Sequence, residues 1–208
     1  MSGGLRLVIY DRSCTGRHGL PGLTHAWAAG AWLYRGRGRI GAAFGARGWR
    51  EAFAWIGRQS PDQPIAELQF WGHGKWGEAR IGDERLAAAA LLPGDSLHKD
   101  LCALRERLLP AGAALWWFRT CETLGAAPGH DFARRYSDFF NARIAGHTYI
   151  IGPWQSGLHS LAPGQSPAWS LTEGLEAGTP DRPERARWSS RREPNTIHCL
   201  NGVIPPGY

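Results

Sequence analysis

Apolar and polar positions along the chain switch repeatedly between a period of two and a helical period. Residues 5–10, Leu-Arg-Leu-Val-Ile-Tyr, are rich in β-formers and stop at Asp11-Arg12-Ser13, which predicts a first strand. Trp27, Ala31 and Tyr34 recur at helical spacing over 25–34, with Thr24 as N-cap and Arg35-Gly36-Arg37-Gly38 as the stop. Trp49, Phe53 and Ile56 repeat the spacing over 48–58 and end at Ser60-Pro61-Asp62-Gln63-Pro64, so two helices are expected before the second strand. That strand is 65–71, Ile-Ala-Glu-Leu-Gln-Phe-Trp, and it runs into Gly72-His73-Gly74. Residues 77–86 read as a hairpin around Gly82-Asp83. After Pro93-Gly94, Leu97, Leu101, Leu104 and Leu108 mark one face of an amphipathic helix that Pro110-Ala111-Gly112 stops.

The run Ala113 to Phe118 is continuously apolar, as in a central parallel strand, and it ends at Arg119-Thr120-Cys121. A glycine loop follows, then a helix over 131–141 through Phe132, Tyr136 and Phe139 or Phe140, then a strand over 143–151. Alternation of this kind predicts an α/β fold, a mostly parallel sheet with helices on both faces. Beyond Gly152 the pattern weakens. Residues 153–167 read as loop, 168–172 as a short strand, and 177–195 as polar with three prolines, whereas Ile197 to Ile204 is apolar and is expected to dock back. The organisation expected is one α/β domain over 1–152 with an irregular C-terminal extension over 153–208 packing on it.

Composition narrows the function classes. With 208 residues, 43% hydrophobic and 20% charged, the chain is neither disordered nor fibrous and can bury a core without disulfides. No apolar run approaches the roughly 18 residues of a membrane span, and Met1-Ser2-Gly3-Gly4 leads directly into the first strand, so no membrane contact and a cytoplasmic location are expected. Cys14, Cys102, Cys121 and Cys199 include no CxxC pair, which favours reduced thiols over a disulfide framework or zinc ribbon. The net charge is +6, yet Lys75 and Lys99 are the only lysines and the arginines are dispersed. The densest basic stretch, Arg182 to Arg192, is interrupted by Pro183, Glu184 and Trp188, so nucleic acid is not an expected partner. Eleven tryptophans fit either sugar or lipid contacts or, more simply, large core aromatics.

Ligand crevices of open parallel sheets lie outside the carboxyl ends of the strands, where both Gly72-His73-Gly74 and Cys121 fall. A cysteine attacks as its thiolate; a neighbouring histidine stabilises that anion and later protonates a leaving amine. Gly74 allows close backbone approach, and its amide with that of Cys121 can serve an oxyanion. Glu122 should raise the thiol pKa while Arg119 opposes it. The chain carries decoys, since His18-Gly19 repeats the His-Gly pair and Cys14 follows a strand, but His18 follows no apolar run and Cys14 lies too close to it. His98 and Cys102 offer two metal ligands at i, i+4, but Leu101 and Leu104 place Cys102 beside a core face, and no metal is expected. His147 reads as hydrogen-bonded packing. His198 and Cys199 are neighbours whose side chains should point to opposite faces of a strand. For substrate binding, Asp11 at the end of the first strand is best placed to receive a basic side chain, with Glu122 second, although Asp11 equally well caps a turn. Trp154 to Gly157 would supply a binding wall.

An apolar strand followed by His-Gly and, after about 45 residues, an apolar strand followed by Cys resembles the caspase, legumain, gingipain and clostripain clan of cysteine peptidases. Within it, Leu68 to Gly152 is most similar to the bacterial caspase-fold domains of large surface proteins. The shared order is strand, His-Gly, short hairpin (Gly77 to Leu86), amphipathic helix, strand, Cys, glycine loop, a helix containing Phe132, and strand (Ile144 to Ile151). The resemblance implies a caspase-like fold in which Cys121 is the nucleophile and His73 the acid/base. It further implies the amides of Gly74 and Cys121 as oxyanion hole, a peptide or protein as substrate, and no cofactor. A catalytically silent module of the same fold, binding a protein or a glycan, is the alternative expectation.

Overall fold

Six strands build the central sheet: β1 (Leu5–Asp11), β2 (Ala42–Ala46), β3 (Ile65–Trp71), β7 (Leu115–Arg119), β8 (Arg143–His147) and β10 (Leu158–Leu161). They lie in the order β10-β8-β7-β3-β1-β2, all parallel except β10, which runs antiparallel to β8. The structure, a computed structural model, describes residues 3–16 and 21–208. Four helices accompany the sheet: α1 (Leu23–Gly36), α2 (Trp49–Gly57), α3 (His98–Arg105) and α4 (Ala126–Phe140). Among the described residues no helix is long and apolar enough to cross a membrane.

Strand alternation decides which side chains meet which layer. Leu7 and Ile9 of β1, Leu68 and Phe70 of β3, and Trp116 and Phe118 of β7 enter one large core with α2, α3 and α4. The intervening residues face the other way. Val8 and Trp71 pack beneath α1 through Ala31 and Tyr34, while Trp117 and Ala145 pack with Leu158 and Ile197. The second face is therefore covered half by a helix and half by the C-terminal segment, and a seam runs between them.

A small three-stranded antiparallel sheet follows β3: β4 (His73–Lys75), β5 (Glu78–Ile81) and β6 (Glu84–Ala87). Ile81 pairs with Glu84 across Gly82-Asp83, the expected turn, and Gly82 takes φ +56°, the left-handed conformation that glycine adopts without steric cost. Four short strands remain in the C-terminal region besides β10. β9 (Trp154–Gln155) pairs with β13 (Ile197–His198), and β11 (Leu175–Gly178) pairs with β12 (Pro183–Ala186).

Several expectations need correction. β2 lies between the two helices that were to precede the second strand; Ala-Ala-Phe-Gly-Ala carries little β-propensity and no alternation. Thr24 is not the N-cap of α1, which is Gly22; its hydroxyl instead donates to the Asp11 carbonyl at 2.9 Å. The helix after the glycine loop starts at Ala126 rather than 131, and β8 stops at His147. Residues 153–167 hold β9 and β10, so the central sheet continues beyond residue 152, and 168–172 form no strand. Most tryptophans serve the core or its margin, with Trp32 and Trp188 exposed at 78% and 70%.

Candidate active site

The parallel register of β3 and β7 sets Phe70 against Phe118 and Trp71 against Arg119. His73 and Cys121 each lie two residues beyond that last pair, just past the ends of β3 and β7. They line one cavity of about 540 Å³ at the carboxyl edge of the sheet. His73 is exposed, Cys121 half-buried, and Arg119 is buried beneath them. The ring of His73 rests edge-on against Trp27 of α1, with centroids 5.6 Å apart.

The turn after Cys121 is held from all sides. Its hub is the Thr123 hydroxyl, 2.6 Å from that of Thr120 and 3.2 Å from the carbonyl oxygens of both Cys121 and Glu78. Glu122 N donates to Tyr149 O at 2.9 Å and Leu124 N to His147 O at 3.0 Å, so the residues after β8 form a cradle for the turn. Gly74 lies flat against it: a Cβ there would collide with Thr123 Oγ1 and come within 2.8 Å of the Cys121 carbonyl oxygen.

Electrostatically the thiolate form is disfavoured. Burial pushes the Cys121 pKa up and the charge of Glu122 adds to this, while backbone hydrogen bonding at Ile151 and at Cys121 itself acts in the opposite direction. The expected opposition from Arg119 is not among these influences, and its guanidinium is hydrogen-bonded to other groups. Nε and Nη2 donate to Gln155 Oε1, Nη1 to Tyr34 Oη and Asn201 O, and Nη2 also to Cys199 O, at 2.7–3.1 Å. It also lies over the Trp117 ring at 4.5 Å.

The substrate-binding residues expected from sequence do not join the cavity. Asp11 is fully buried and shares the parity of Leu7 and Ile9, which turn toward the three-helix layer. Its carboxylate accepts from Ser13 N at 2.7 Å, Ser13 Oγ at 2.6 Å and Gly82 N at 3.3 Å, the capping role rather than a pocket role. Glu122 is buried away from the cavity at φ +43°, and burial raises its carboxyl pKa against the lowering effect of Lys75 and Arg80. Trp154 stands outside, packed against His198 and beneath Arg191, whereas its neighbours Pro153 and Gln155 line the cavity.

Comparison with known protein families, curated proteins and solved structures finds no match.

Sequence reasoning missed most of the cavity wall. Leu23, Ala26, Trp27, Gly30, Leu33 and Tyr34 form a stripe at i, i+3, i+4, i+7, i+10 and i+11 along α1, and Cys199 and Leu200 close the opposite side. The spacing of that stripe was the available signal. Among the decoys, His98 Nε2 lies 3.5 Å from Cys102 Sγ, but the described residues contain no group of three metal-ligating side chains. His147 Nδ1 donates to Ser156 O at 3.1 Å in full burial. β13 ends at His198, so strand alternation lapses and Cys199 Sγ sits 3.8 Å from His198 Nδ1 rather than on the opposite face. His18-Gly19 lies outside the described residues.

Proposed function

We propose that the chain is a cysteine peptidase of the caspase-like clan, with Cys121 as nucleophile and His73 as general acid/base. The observation that carries this reading is the convergence of the two side chains, from adjacent parallel strand ends, on one cavity. Further support comes from the shared element order: the hairpin after His73-Gly74, the helix α3, the strand β7 ending before Cys121, and α4 with Phe132.

In the reaction the Cys121 thiol loses its proton to His73 and Sγ attacks the scissile carbonyl carbon, giving a tetrahedral oxyanion. The amides of Gly74 and Cys121 are the donors assigned to that oxygen. Collapse breaks the C–N bond, the imidazolium protonates the departing amine, and a thioester remains. Water, deprotonated by the same imidazole, then attacks the thioester and releases a carboxylic acid, and Sγ takes the proton back. No metal ligand or organic cofactor enters these steps. The raised thiol pKa favours the second reading, a silent module of the same fold that binds a protein or glycan.

Incubation with a peptide library, read by mass spectrometry, separates the two. Cleavage is expected for the natural chain and is abolished, with folding retained, in Cys121→Ala and in His73→Ala. Cleavage that survives both substitutions, or is absent from all three proteins, overturns the peptidase reading.

A further inference from the structure

We infer that this site accepts a large apolar side chain, such as Leu, Phe or Trp, at P1, the residue on the acyl side of the scissile bond. The inference rests on the peptidase reading and replaces the basic preference that Asp11 would have given.

The cavity beside Cys121 is lined by Leu23, Trp27, Leu33, Trp71, Ile151 and Leu200, with most of its surface apolar. Its volume of about 540 Å³ is within the range of sites that enclose small ligands. Small residues make the room, since Ala26, Ala29 and Gly30 of α1 face it, and Gly30 lets the helix approach so closely that a Cβ would lie 3.1 Å from the Trp71 ring.

Charge excludes the alternatives. Among the described residues no carboxylate lines the cavity, so a P1 Arg or Lys would lose its hydration without gaining a counter-ion, in the presence of the Arg119 cation. A P1 Asp or Glu meets that cation, but all five guanidinium N–H groups are already donated, to Gln155, Tyr34, Cys199 and Asn201. An incoming carboxylate would have to displace acceptors that hold the C-terminal segment in place. An apolar side chain needs no such exchange and gains the burial of its own surface.

Matched peptidyl acyloxymethyl ketones differing only at P1 test this. In each, Sγ displaces the acyloxy group and forms a thioether that intact-mass spectrometry counts. Phe and Leu ketones should label Cys121 at least about tenfold faster than Arg and Asp ketones, the discrimination an apolar pocket ordinarily provides. Ala29→Trp should slow the Phe ketone about tenfold relative to an Ala ketone by filling the cavity. Should that variant unfold, Leu33→Ala, which enlarges the same wall, should move the optimum toward Trp. If Arg or Asp ketones label Cys121 fastest and His73→Ala abolishes that labelling, the apolar inference falls while the peptidase reading stands. If no ketone labels Cys121 in a His73-dependent way, both fall.

Discussion

Gly74 is the residue at the cavity edge held most closely against the Cys121 turn. Nothing larger than glycine fits between β4 and the Cys121 turn, and the groups a Cβ would strike include the backbone of Cys121 itself. On the peptidase reading, Gly74→Ala must push the Cys121 carbonyl aside or pull His73 away from it. Misplacement of reacting groups by about 1 Å costs on the order of a hundredfold in rate. Peptide turnover in Gly74→Ala should fall by at least that factor; unchanged turnover would mean that the turn yields without moving Cys121.

His147 constrains stability. Burial drives its pKa down to about 3, with Arg119 and His159 contributing in the same direction against the Ser156 carbonyl. Above its ordinary pKa the ring is neutral in both states. As pH falls below about 6.5 the unfolded chain binds a proton there and the folded one does not, so stability falls with pH, by at most about 1.4 kcal/mol per pH unit. Glu67 has the opposite sign: burial raises its carboxyl pKa, so the fold retains that proton and this contribution weakens as pH rises. Comparing the natural chain with His147→Gln cancels the Glu67 contribution. In urea unfolding the stability of the natural chain relative to the variant should drop by roughly 2 kcal/mol between pH 7 and pH 5. A constant difference would place a proton on folded His147.

At the scale of elements, legibility followed periodicity. β3, the Gly82-Asp83 hairpin and β7 were visible because each has a strong pattern bounded by turn residues, and these are also the elements that carry His73 and Cys121. β2 and β10 were not, because Ala42-Ala43-Phe44-Gly45-Ala46 and Leu158-His159-Ser160-Leu161 are short, and it is sheet neighbours that make them strands. Of the two roles the sequence left open for Asp11, its hydrogen bonds show the turn cap. Its position at a strand end was right, but alternation from Leu7 and Ile9 turns its carboxylate away from the seam, and that parity was readable. The cavity wall was the least legible part. α1 meets β3 through Tyr34 and Trp71, and the chain's last residues meet β7, and neither pairing leaves a local pattern. α1 consequently does two jobs: one flank covers Val8, while Trp27 and its neighbours shape the cavity and brace His73.

Across the whole molecule, the uneven covering of the sheet explains why the cavity exists. Three helices close one face, but the other has only α1, and the segment from Ile197 onward replaces a second helix over Trp117, Ala145 and Leu158. A strap makes a poorer seal than a helix, and the gap between strap and α1 lies over Trp71 and Arg119. The strap is held by the pairing of β13 with β9, by the packing of Ile204 and Tyr208, and by a small set of other groups. Ile197 is buried, Tyr34 Oη and Arg119 donate to the carbonyls of Cys199 and Asn201, and Ser160 Oγ donates to Tyr208 O at 2.8 Å. Removing residues 197–208 exposes Trp117 and leaves Arg119 with Gln155 and Tyr34 as its partners, a loss that water reaching the opened face partly offsets. The cost should be about 2–4 kcal/mol, from the loss of one buried aliphatic side chain and several hydrogen bonds. For a chain of this size that lowers the thermal midpoint by roughly 5–15 °C. The same truncation strips Leu200 from the cavity wall, so labelling by a Phe ketone should slow even at temperatures where the shortened protein remains folded. A truncated chain with an unchanged midpoint and unchanged labelling would show the strap to be an appendage, and the second face of the sheet to be sealed without it.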